Sequence, residues 1–277
     1  MQMKCAWKEL MAILPPRVRR EVERMEPEDL WEIRIRQDRP TELVGSRGNI
    51  WLETRVSGED IRFCINTASR YSPWAAQTMG WGYLTAPGGH RIGLGGEVTV
   101  NEGRVTGFRE ADSLCIRVAH DVMGIGRPFS SLRGSVLIIG PPGGGKTTLL
   151  RDLCRELSRR ETVAVVDERG ELFPADYDRG KALDVLSLCP KPRGIDMALR
   201  TLGPASIAVD EITGEEDADA LCKAGWCGVR LIATAHAASA SDLRTRPIYR
   251  PLWEHHLFEH LLICHRDKSR CVERMDL

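Results

Sequence analysis

Near the middle of the chain the sequence reads Gly140-Pro141-Pro142-Gly143-Gly144-Gly145-Lys146-Thr147-Thr148. This run matches the whole G-x-x-x-x-G-K-[ST] pattern of a phosphate-binding loop. The apolar run before it, Val136–Ile139, predicts a buried parallel strand. The apolar residues after it recur at helical spacing, at Leu149, Leu150, Leu153, Cys154 and Leu157. The loop is therefore predicted to join a strand to a helix, which is the context that the motif requires.

The chemistry of this loop follows from its residue types. Glycines let the backbone wrap around an anion without clashes from Cβ atoms, so that backbone N–H groups and the helix N-terminus point at a phosphate. Lys146 is predicted to reach the β- and γ-phosphates, and the Thr147 hydroxyl to bind Mg²⁺. All residues from Gly140 to Thr148 are therefore candidate nucleotide-binding residues.

A second apolar strand, Ile207–Val209, ends in the acidic pair Asp210 and Glu211. In nucleotide hydrolases an acid at such a strand end holds the Mg²⁺ ion, and a neighbouring group orients the attacking water. Asp210 is therefore predicted as a metal ligand and Glu211 as the catalytic base.

Two further strands end in polar residues. Val163–Val166 is followed by Asp167 and Glu168, and Leu231–Ala235 is followed by His236. Because the carboxyl ends of parallel strands line the ligand site of an open sheet, at least one of Asp167 and Glu168 is predicted to meet metal or water. His236 is predicted to hydrogen-bond the γ-phosphate or to couple the nucleotide state to a neighbour.

The transition state of phosphoryl transfer often takes an arginine from a neighbouring domain or subunit. Spacing does not choose among the candidates, which are Arg91, Arg117, Arg193 and Arg200.

The pattern of predicted helices and strands changes near residue 130. Residues 1–130 combine helical segments at Glu9–Arg24 and Glu59–Tyr71 with short strands, and predict a smaller α+β N-terminal domain that ends in a glycine-rich linker, Asp121–Arg133. In residues 131–277 strands alternate with helices, which predicts an α/β domain with a mainly parallel sheet. Its predicted strands are Val136–Ile139, Val163–Val166, Ile207–Val209, Leu231–Ala235 and Phe258–Cys264.

Net charge, the length of the apolar runs and the cysteine pattern limit the classes of function that the sequence supports. The 277 residues carry 39 basic and 39 acidic side chains, so the zero net charge gives no support to broad nucleic-acid binding. The apolar runs are far shorter than the roughly 20 residues of a membrane span, and the N-terminus lacks the apolar core of a signal peptide. The 9 scattered cysteines, without a C-x-x-C pair, predict reduced thiols.

The likeness to known proteins is not confined to the phosphate-binding loop. From about Trp31 to His265 the chain resembles the stage III sporulation protein AA family of endospore-forming bacteria. The N-terminal pieces that carry the resemblance are Glu32–Arg36, Arg39-Pro40, Gly88–Leu94 and Ser113–Arg117. The C-terminal pieces are Gly140–Asp152, Val166–Arg169, Asp184–Leu186, Cys189–Lys191, Val209–Glu211, Glu215–Asp217 and Thr234–His236. An unrelated phosphate-binding-loop protein would not share the N-terminal pieces, so the match is specific.

The resemblance implies a mother-cell ATPase related to the ATPases of type II and type IV secretion systems. Those enzymes are RecA-like and hexameric, so it implies a RecA-like fold, ATP and Mg²⁺ as ligands, and a homo-oligomer. It also implies a partner, a membrane channel complex between mother cell and forespore. The expected location is the cytoplasm, with peripheral attachment to the membrane through that partner.

The resemblance also assigns residue roles. The family's aspartate box falls on Asp167 and Glu168, and its histidine box on His236. In secretion ATPases, arginines of the N-terminal domain complete the nucleotide site, and Arg91 and Arg117 lie in similarly placed strands.

The chain departs from the family pattern at two places, and the first, the loss of an arginine, bears on rate or subunit coupling rather than on nucleotide binding. The family usually reads Gly-Arg-Glu-Glu-Asp after the Asp-Glu pair, whereas this chain reads Thr-Gly-Glu-Glu-Asp at Thr213–Asp217 and lacks that arginine. Ala235 stands before His236, where the family usually has valine or leucine.

Two other functions share the phosphate-binding loop. A nucleic-acid remodelling ATPase of the helicase-loader kind would favour a basic surface, which the charge balance does not supply. A scaffold that binds ATP without turnover would not need the carboxylate of Glu211, so the presence of Glu211 argues against it.

Overall fold

The computed structural model describes residues 2–70, 79–80, 82–174 and 177–275. The chain divides into two compact units. The N-terminal unit is formed by Met3–Asp121 with Pro174–Tyr177, and the C-terminal unit by Val122–Phe173 with Asp178–Leu277 and the first residues of the chain.

The N-terminal unit is built on a six-stranded antiparallel sheet with the strand order β4-β3-β2-β7-β6-β5. Its elements are β1 (Gln2–Cys5), α1 (Trp7–Ile13), α2 (Pro16–Val22), β2 (Leu30–Arg36), β3 (Pro40–Gly45), β4 (Gly48–Arg55), α3 (Gly58–Ala68), β5 (Tyr83–Thr85), β6 (Arg91–Asn101), β7 (Arg104–Arg117) and β8 (His120–Met123). Strands β1 and β8 pair separately. Ile33, Ile116 and Ile92 stand opposite one another on three neighbouring strands and are fully buried, which fixes the core face of the sheet.

The helix predicted at Glu9–Arg24 is two helices, α1 and α2. Leu14, which precedes Pro15, has extended backbone angles of φ −84° and ψ 142°. A residue before proline is disfavoured in the helical region, so the first helix ends there, and Pro16 then begins the second helix at its first position.

The second predicted helix, Glu59–Tyr71, corresponds to α3. Ser57 caps it, since its hydroxyl accepts from the Asp60 backbone N–H at 3.2 Å while the Asp60 carboxylate accepts from the Ser57 backbone N–H at 2.9 Å. The predicted end, Tyr71, lies outside the described residues.

The C-terminal unit contains a seven-stranded sheet with the order β11-β10-β12-β13-β9-β14-β15. Its strands and helices are β9 (Val136–Ile139), α4 (Lys146–Leu157), β10 (Val163–Asp167), β11 (Leu183–Ser187), α5 (Lys191–Met197), β12 (Ser206–Val209), α6 (Glu215–Trp226), β13 (Arg230–Ala235), α7 (Ala240–Thr245), α8 (Arg250–Glu254), β14 (His260–Cys264) and β15 (Arg270–Arg274). The strands pair in parallel, except that β15 runs antiparallel to β14. The predicted mainly parallel sheet is therefore confirmed.

The strand β9 shows why the central strands are continuous apolar runs. Its residues are fully buried, with Leu137 and Ile139 in one hydrophobic cluster and Val136 and Ile138 in another. Both faces of the sheet are thus covered by helices and loops, as expected for parallel strands. Strands β11 and β15 are absent from the sequence-based prediction, because both are edge strands in which polar side chains interrupt the apolar pattern.

From Val122 onward, the predicted linker Asp121–Arg133 instead belongs to the C-terminal unit and packs there. Ile125 is buried, and the Gly126 N–H donates to Asp152 Oδ2 at 2.6 Å. A Cβ atom at Gly126 would lie 2.4 Å from the Leu153 nitrogen, so this glycine serves the close approach of the segment to α4 rather than flexibility. Within the ranges described above, no helix is both long enough and apolar enough to cross a membrane.

Candidate active site

The loop Gly140–Gly145 connects β9 to α4, as the motif predicts. Gly145 precedes the helix with φ 92° and ψ 19°, a left-handed conformation that strongly favours glycine. Gly140 passes against the neighbouring strand, since a Cβ atom there would lie 2.3 Å from the carbonyl oxygen of Cys264. No side chain among the described residues caps the first turn of α4, so its backbone N–H groups are available to an anion.

Lys146 lies over the loop with its ammonium close to three acceptors. Nζ donates to the carbonyl oxygens of Gly140 at 2.9 Å and Pro141 at 3.2 Å, and it is 3.1 Å from His236 Nδ1. The residue is largely buried, and this burial lowers the pKa of Lys146 from its usual value, although Asp210 opposes the shift. The lysine therefore sits in a desolvated position in which a charged phosphate oxygen is a stronger acceptor than a carbonyl.

Asp210 is held by two threonines. The Thr147 hydroxyl donates to Asp210 Oδ2 at 2.9 Å, and the Thr234 hydroxyl donates to Oδ1 at 2.6 Å. The Glu211 N–H in turn donates to the Thr234 hydroxyl at 2.7 Å. These contacts bring together the hydroxyl and the carboxylate that the sequence predicts for Mg²⁺, and such hard oxygen ligands suit that ion.

Glu211 follows directly and has both carboxylate oxygens engaged. Arg169 Nη1 donates to Oε2 at 2.9 Å, and His236 Nε2 is 3.2 Å from Oε1. Its backbone φ of 54° lies in the left-handed region, which is uncommon for a residue with a side chain. A continuous series of contacts therefore runs from Lys146 through His236 to Glu211 and Arg169.

Asp167 and Glu168 divide into two different environments. Asp167 is 2% exposed and accepts from the backbone N–H groups of Glu171, Leu172 and Phe173. Burial raises the pKa of Asp167, and the three backbone donors oppose that shift. Its carboxylate thus organises the loop that follows β10.

Glu168 instead pairs with the buried ammonium of Lys191, which is also 3.4 Å from Asp217. Both Asp167 and Glu168 line a small cavity together with Asp210 and Glu211. Because three backbone N–H groups already occupy the buried Asp167 carboxylate, Glu168 is the better placed of the two to meet metal or water.

A cavity of about 370 Å³ opens over the phosphate-binding loop. The residues that line it include Lys146 and Thr147 from the loop and the ends of β12 and β13, represented by Asp210, Glu211, Thr234 and His236. Pro142, Gly143, Gly145 and Thr148 also line it, as does Lys268 from the turn between β14 and β15. Most of the loop and strand-end residues predicted from the sequence therefore meet at one place.

The four candidate arginines lie in other settings. In the N-terminal unit Arg91 and Arg117 stand opposite each other on β6 and β7, with the Arg91 guanidinium 4.1 Å from the centre of the Tyr83 ring and Arg117 Nε 3.8 Å from a Glu32 oxygen. In the C-terminal unit Arg193 lies on α5, and Arg200 pairs with Asp196 on the surface. Neither Arg193 nor Arg200 is among the described residues that line the cavity.

Four residues of the site escaped the sequence analysis as functional candidates: Thr234, Arg169, Lys191 and Lys268. Thr234 and Arg169 adjoin predicted strand ends, so attention to side chains next to the motif acids would have found them. Lys191 ends the Cys189–Lys191 piece of the family resemblance, which could have pointed to it. Lys268 reaches the site from a turn far along the chain, and no local pattern marks it.

The chain is similar to known proteins in sequence and, separately, in fold. The sequence model of the family described as "Sporulation stage III, protein AA" matches residues 5–273. Stage III sporulation protein AA of Bacillus subtilis (strain 168) is 37% identical over an alignment of 282 positions, gaps included, and the alignment covers 94% of this chain and 92% of that protein.

Solved structures give the fold. The ATPase DotB of Legionella pneumophila has a TM-score of 0.61 and 19% identity, covering 94% of this chain and 80% of its own. The pilus retraction motor PilT with bound ADP has a TM-score of 0.62 and 13% identity, covering 89% of this chain and 76% of its own. The chain thus shares its fold with the ATPase DotB and the pilus retraction motor PilT. The family match over nearly the whole length confirms the resemblance seen in the sequence. The chain belongs to the stage III sporulation protein AA family.

Proposed function

We propose that the protein is a Mg²⁺-dependent ATP hydrolase that drives assembly or transport at a membrane channel complex between mother cell and forespore. The observation that carries the hydrolase proposal is the Thr147–Asp210 contact of 2.9 Å, with Glu211 next in the chain. The contact supports the proposal because Thr147 belongs to the phosphate-binding loop, and Asp210 is hydrogen-bonded to it and followed directly by Glu211.

In this proposal each residue has one task. Lys146 and the N–H groups of the loop hold the β- and γ-phosphates, while Thr147 and Asp210 hold the Mg²⁺ ion, which neutralises charge on the phosphates when bound. Glu211 takes a proton from the water whose oxygen bonds to the γ-phosphorus, as the bond from that phosphorus to the bridging oxygen breaks and ADP leaves. His236 contacts both Lys146 and Glu211, so it links phosphate binding to the base.

Binding is tested with Lys146→Ala. The loss of the ammonium should weaken binding of a fluorescent ATP analogue strongly, while the apolar strand and helix around it keep the fold. A folded variant that binds the analogue with unchanged affinity would remove this loop from the nucleotide site.

The cellular role rests on the family and on the motor and secretion ATPases that share the fold. The same resemblance supports a hexamer as the working form, although the proposal does not require the isolated chain to be one. Mass photometry with and without a non-hydrolysable ATP analogue tests this part. A protein that stays monomeric at saturating nucleotide would argue against nucleotide-driven assembly. That result would not bear on ATP hydrolysis, which is tested separately by the site variants.

A further inference from the structure

We infer that Lys268, in the turn between β14 and β15, is a second phosphate-binding cation of the nucleotide site. Its Nζ donates a hydrogen bond to the carbonyl oxygen of Gly143, inside the phosphate-binding loop. The residue also lines the same cavity as Lys146 and Thr147. This inference deepens the proposed function and rests on it, because it assigns a new contact to the same nucleotide site.

The fold brings this turn to the loop. Strand β14 lies beside β9 in parallel register, with Ile263 opposite Ile139, so the turn begins where the phosphate-binding loop begins. The carbonyl oxygen of Cys264 lies so close to Gly140 that an added Cβ atom would come within 2.3 Å of it. The backbone at the end of β14 therefore packs directly on the loop, and the position of Lys268 follows from strand pairing.

The turn itself has a defined conformation. The His265 N–H donates to the Ser269 carbonyl at 3.0 Å, and the Lys268 N–H donates to the His265 carbonyl at 3.1 Å. Asp267 Oδ1 accepts from both the N–H and the hydroxyl of Ser269, at 2.9 and 2.6 Å. With the backbone fixed in this way, only the flexible lysine side chain needs to move in order to exchange one acceptor for another.

Charge favours that exchange. Gly143 offers Lys268 a neutral carbonyl, whereas a nucleotide brings anionic phosphate oxygens to the same cavity. The ammonium and an anionic phosphate oxygen attract each other as two opposite charges, an attraction that the neutral carbonyl of Gly143 does not provide. The cavity also holds the carboxylates of Asp210 and Glu211, so a second ammonium beside Lys146 balances the negative charge around a bound phosphate.

The test compares full-length variants that differ in one charge. Lys268→Met removes the ammonium and keeps the length of the side chain, while Lys268→Arg keeps a cation. Arg266→Met is the matched control, because Arg266 is an exposed cation of the same turn that does not line the cavity. Equilibrium titration with fluorescent ADP and ATP analogues in Mg²⁺ gives the affinities, and circular dichroism checks the fold.

Lys268→Met should weaken nucleotide binding by about 10-fold or more, the worth of one charge-assisted hydrogen bond. Lys268→Arg should keep most of the affinity, and Arg266→Met should change it less than about twofold, as expected for a screened surface charge. Inorganic tripolyphosphate should also displace the analogue less effectively from Lys268→Met than from the wild-type chain. This probe has no base or ribose, so it reports on the phosphate contacts alone.

Two results would overturn the inference while the proposed function stands. One is wild-type affinity in Lys268→Met when Lys146→Ala has lost binding. The other is weakened nucleotide binding with unchanged displacement by tripolyphosphate, which would show that Lys268 contacts the nucleoside rather than the phosphates. Unchanged binding in Lys146→Ala would instead refute the proposed function itself.

Discussion

Arg169 donates a hydrogen bond to the carboxylate of Glu211 at 2.9 Å, although the two residues follow different strands, β10 and β12. With His236 on the other oxygen, this contact orients the side chain that we propose as the base. The Arg169 side chain is 47% exposed, so its ion pair with Glu211 contributes little to the free energy of folding. The role of the ion pair is therefore to orient the Glu211 carboxylate.

Arg169→Gln should therefore lower kcat by about 10-fold, because a carboxylate with one partner spends less time in the productive orientation. We expect the KM for ATP to change little and the free energy of unfolding to fall by less than about 1 kcal/mol. Steady-state kinetics and thermal unfolding measure these values, and Arg169→Lys should recover part of the rate. A rise in kcat would show that Arg169 restrains Glu211 rather than positions it.

Glu211→Gln separates binding from hydrolysis. The amide keeps the shape of the side chain but cannot accept a proton, so turnover should fall by about 10²-fold or more while the affinity for nucleotide persists. Phosphate release and analogue titration measure the two quantities, with Glu215→Gln as an exposed acidic control nearby. Full turnover in Glu211→Gln would transfer the role to Glu168 or Asp167.

Gly126→Ala tests the packing of the segment predicted as a linker. The new Cβ atom would lie 2.4 Å from the Leu153 nitrogen, and backbone on both sides must shift to relieve the clash. We expect a loss of about 1–3 kcal/mol in the free energy of unfolding, as for other overpacked sites. Gly107→Ala is the control, since its added Cβ atom would meet no atom of the described part of the chain within 4 Å. Equal stability of the two variants in denaturant unfolding would contradict the close packing.

His90 predicts a loss of stability in acid. Its Nε2 is 3.0 Å from the Ala6 carbonyl oxygen and its Nδ1 accepts from the Ala119 N–H at 3.1 Å, so the neutral ring is satisfied. Burial lowers the pKa of His90 in the folded protein. The unfolded chain then binds the proton more tightly, and stability should fall as the pH drops below about 6.5 and through the lower folded pKa.

Denaturant unfolding between pH 8 and pH 5 measures this effect. His90→Gln should flatten that pH dependence at the expense of stability at neutral pH, whereas replacement of the exposed His255 by Gln should leave the slope unchanged. An identical slope in His90→Gln and the wild-type chain would assign the acid sensitivity to other groups.

The central sheet and the loop were predictable from sequence because the signals are local. Val136–Ile139 is buried on both faces and therefore reads as one apolar run, and the glycines of the loop mark the turn that follows it. Edge strands such as β15 lack this signal, since their exposed positions tolerate Glu273 and Arg274. The contacts of Arg169 and Lys268 depend on which strands become neighbours, and that order is set by tertiary packing rather than by any nearby residue.

Arg117 is the candidate whose role depends most on assembly. If it completes the nucleotide site, as the resemblance to secretion ATPases implies, Arg117→Ala should reduce turnover by on the order of 10³-fold with nearly unchanged nucleotide affinity, because the arginine acts on the transition state. Arg109→Ala is the control, since Arg109 is an exposed residue of the same strand that pairs with Glu97. The same measurements on Arg91→Ala test its neighbour across the ladder.

Mixing two inactive variants then decides whether Arg117 acts within its own subunit or on the next one. An Arg117→Ala subunit keeps Glu211, and a Glu211→Gln subunit keeps Arg117, so a mixed assembly contains complete sites only if the arginine crosses between subunits. Partial recovery of ATPase activity, in a mixture shown by mass photometry to assemble together, is the outcome expected for action in trans. Absence of recovery in such a mixture would place Arg117 in cis. Full activity in both single arginine variants would remove the N-terminal arginines from the reaction and leave Arg193 and Arg200 as the remaining candidates.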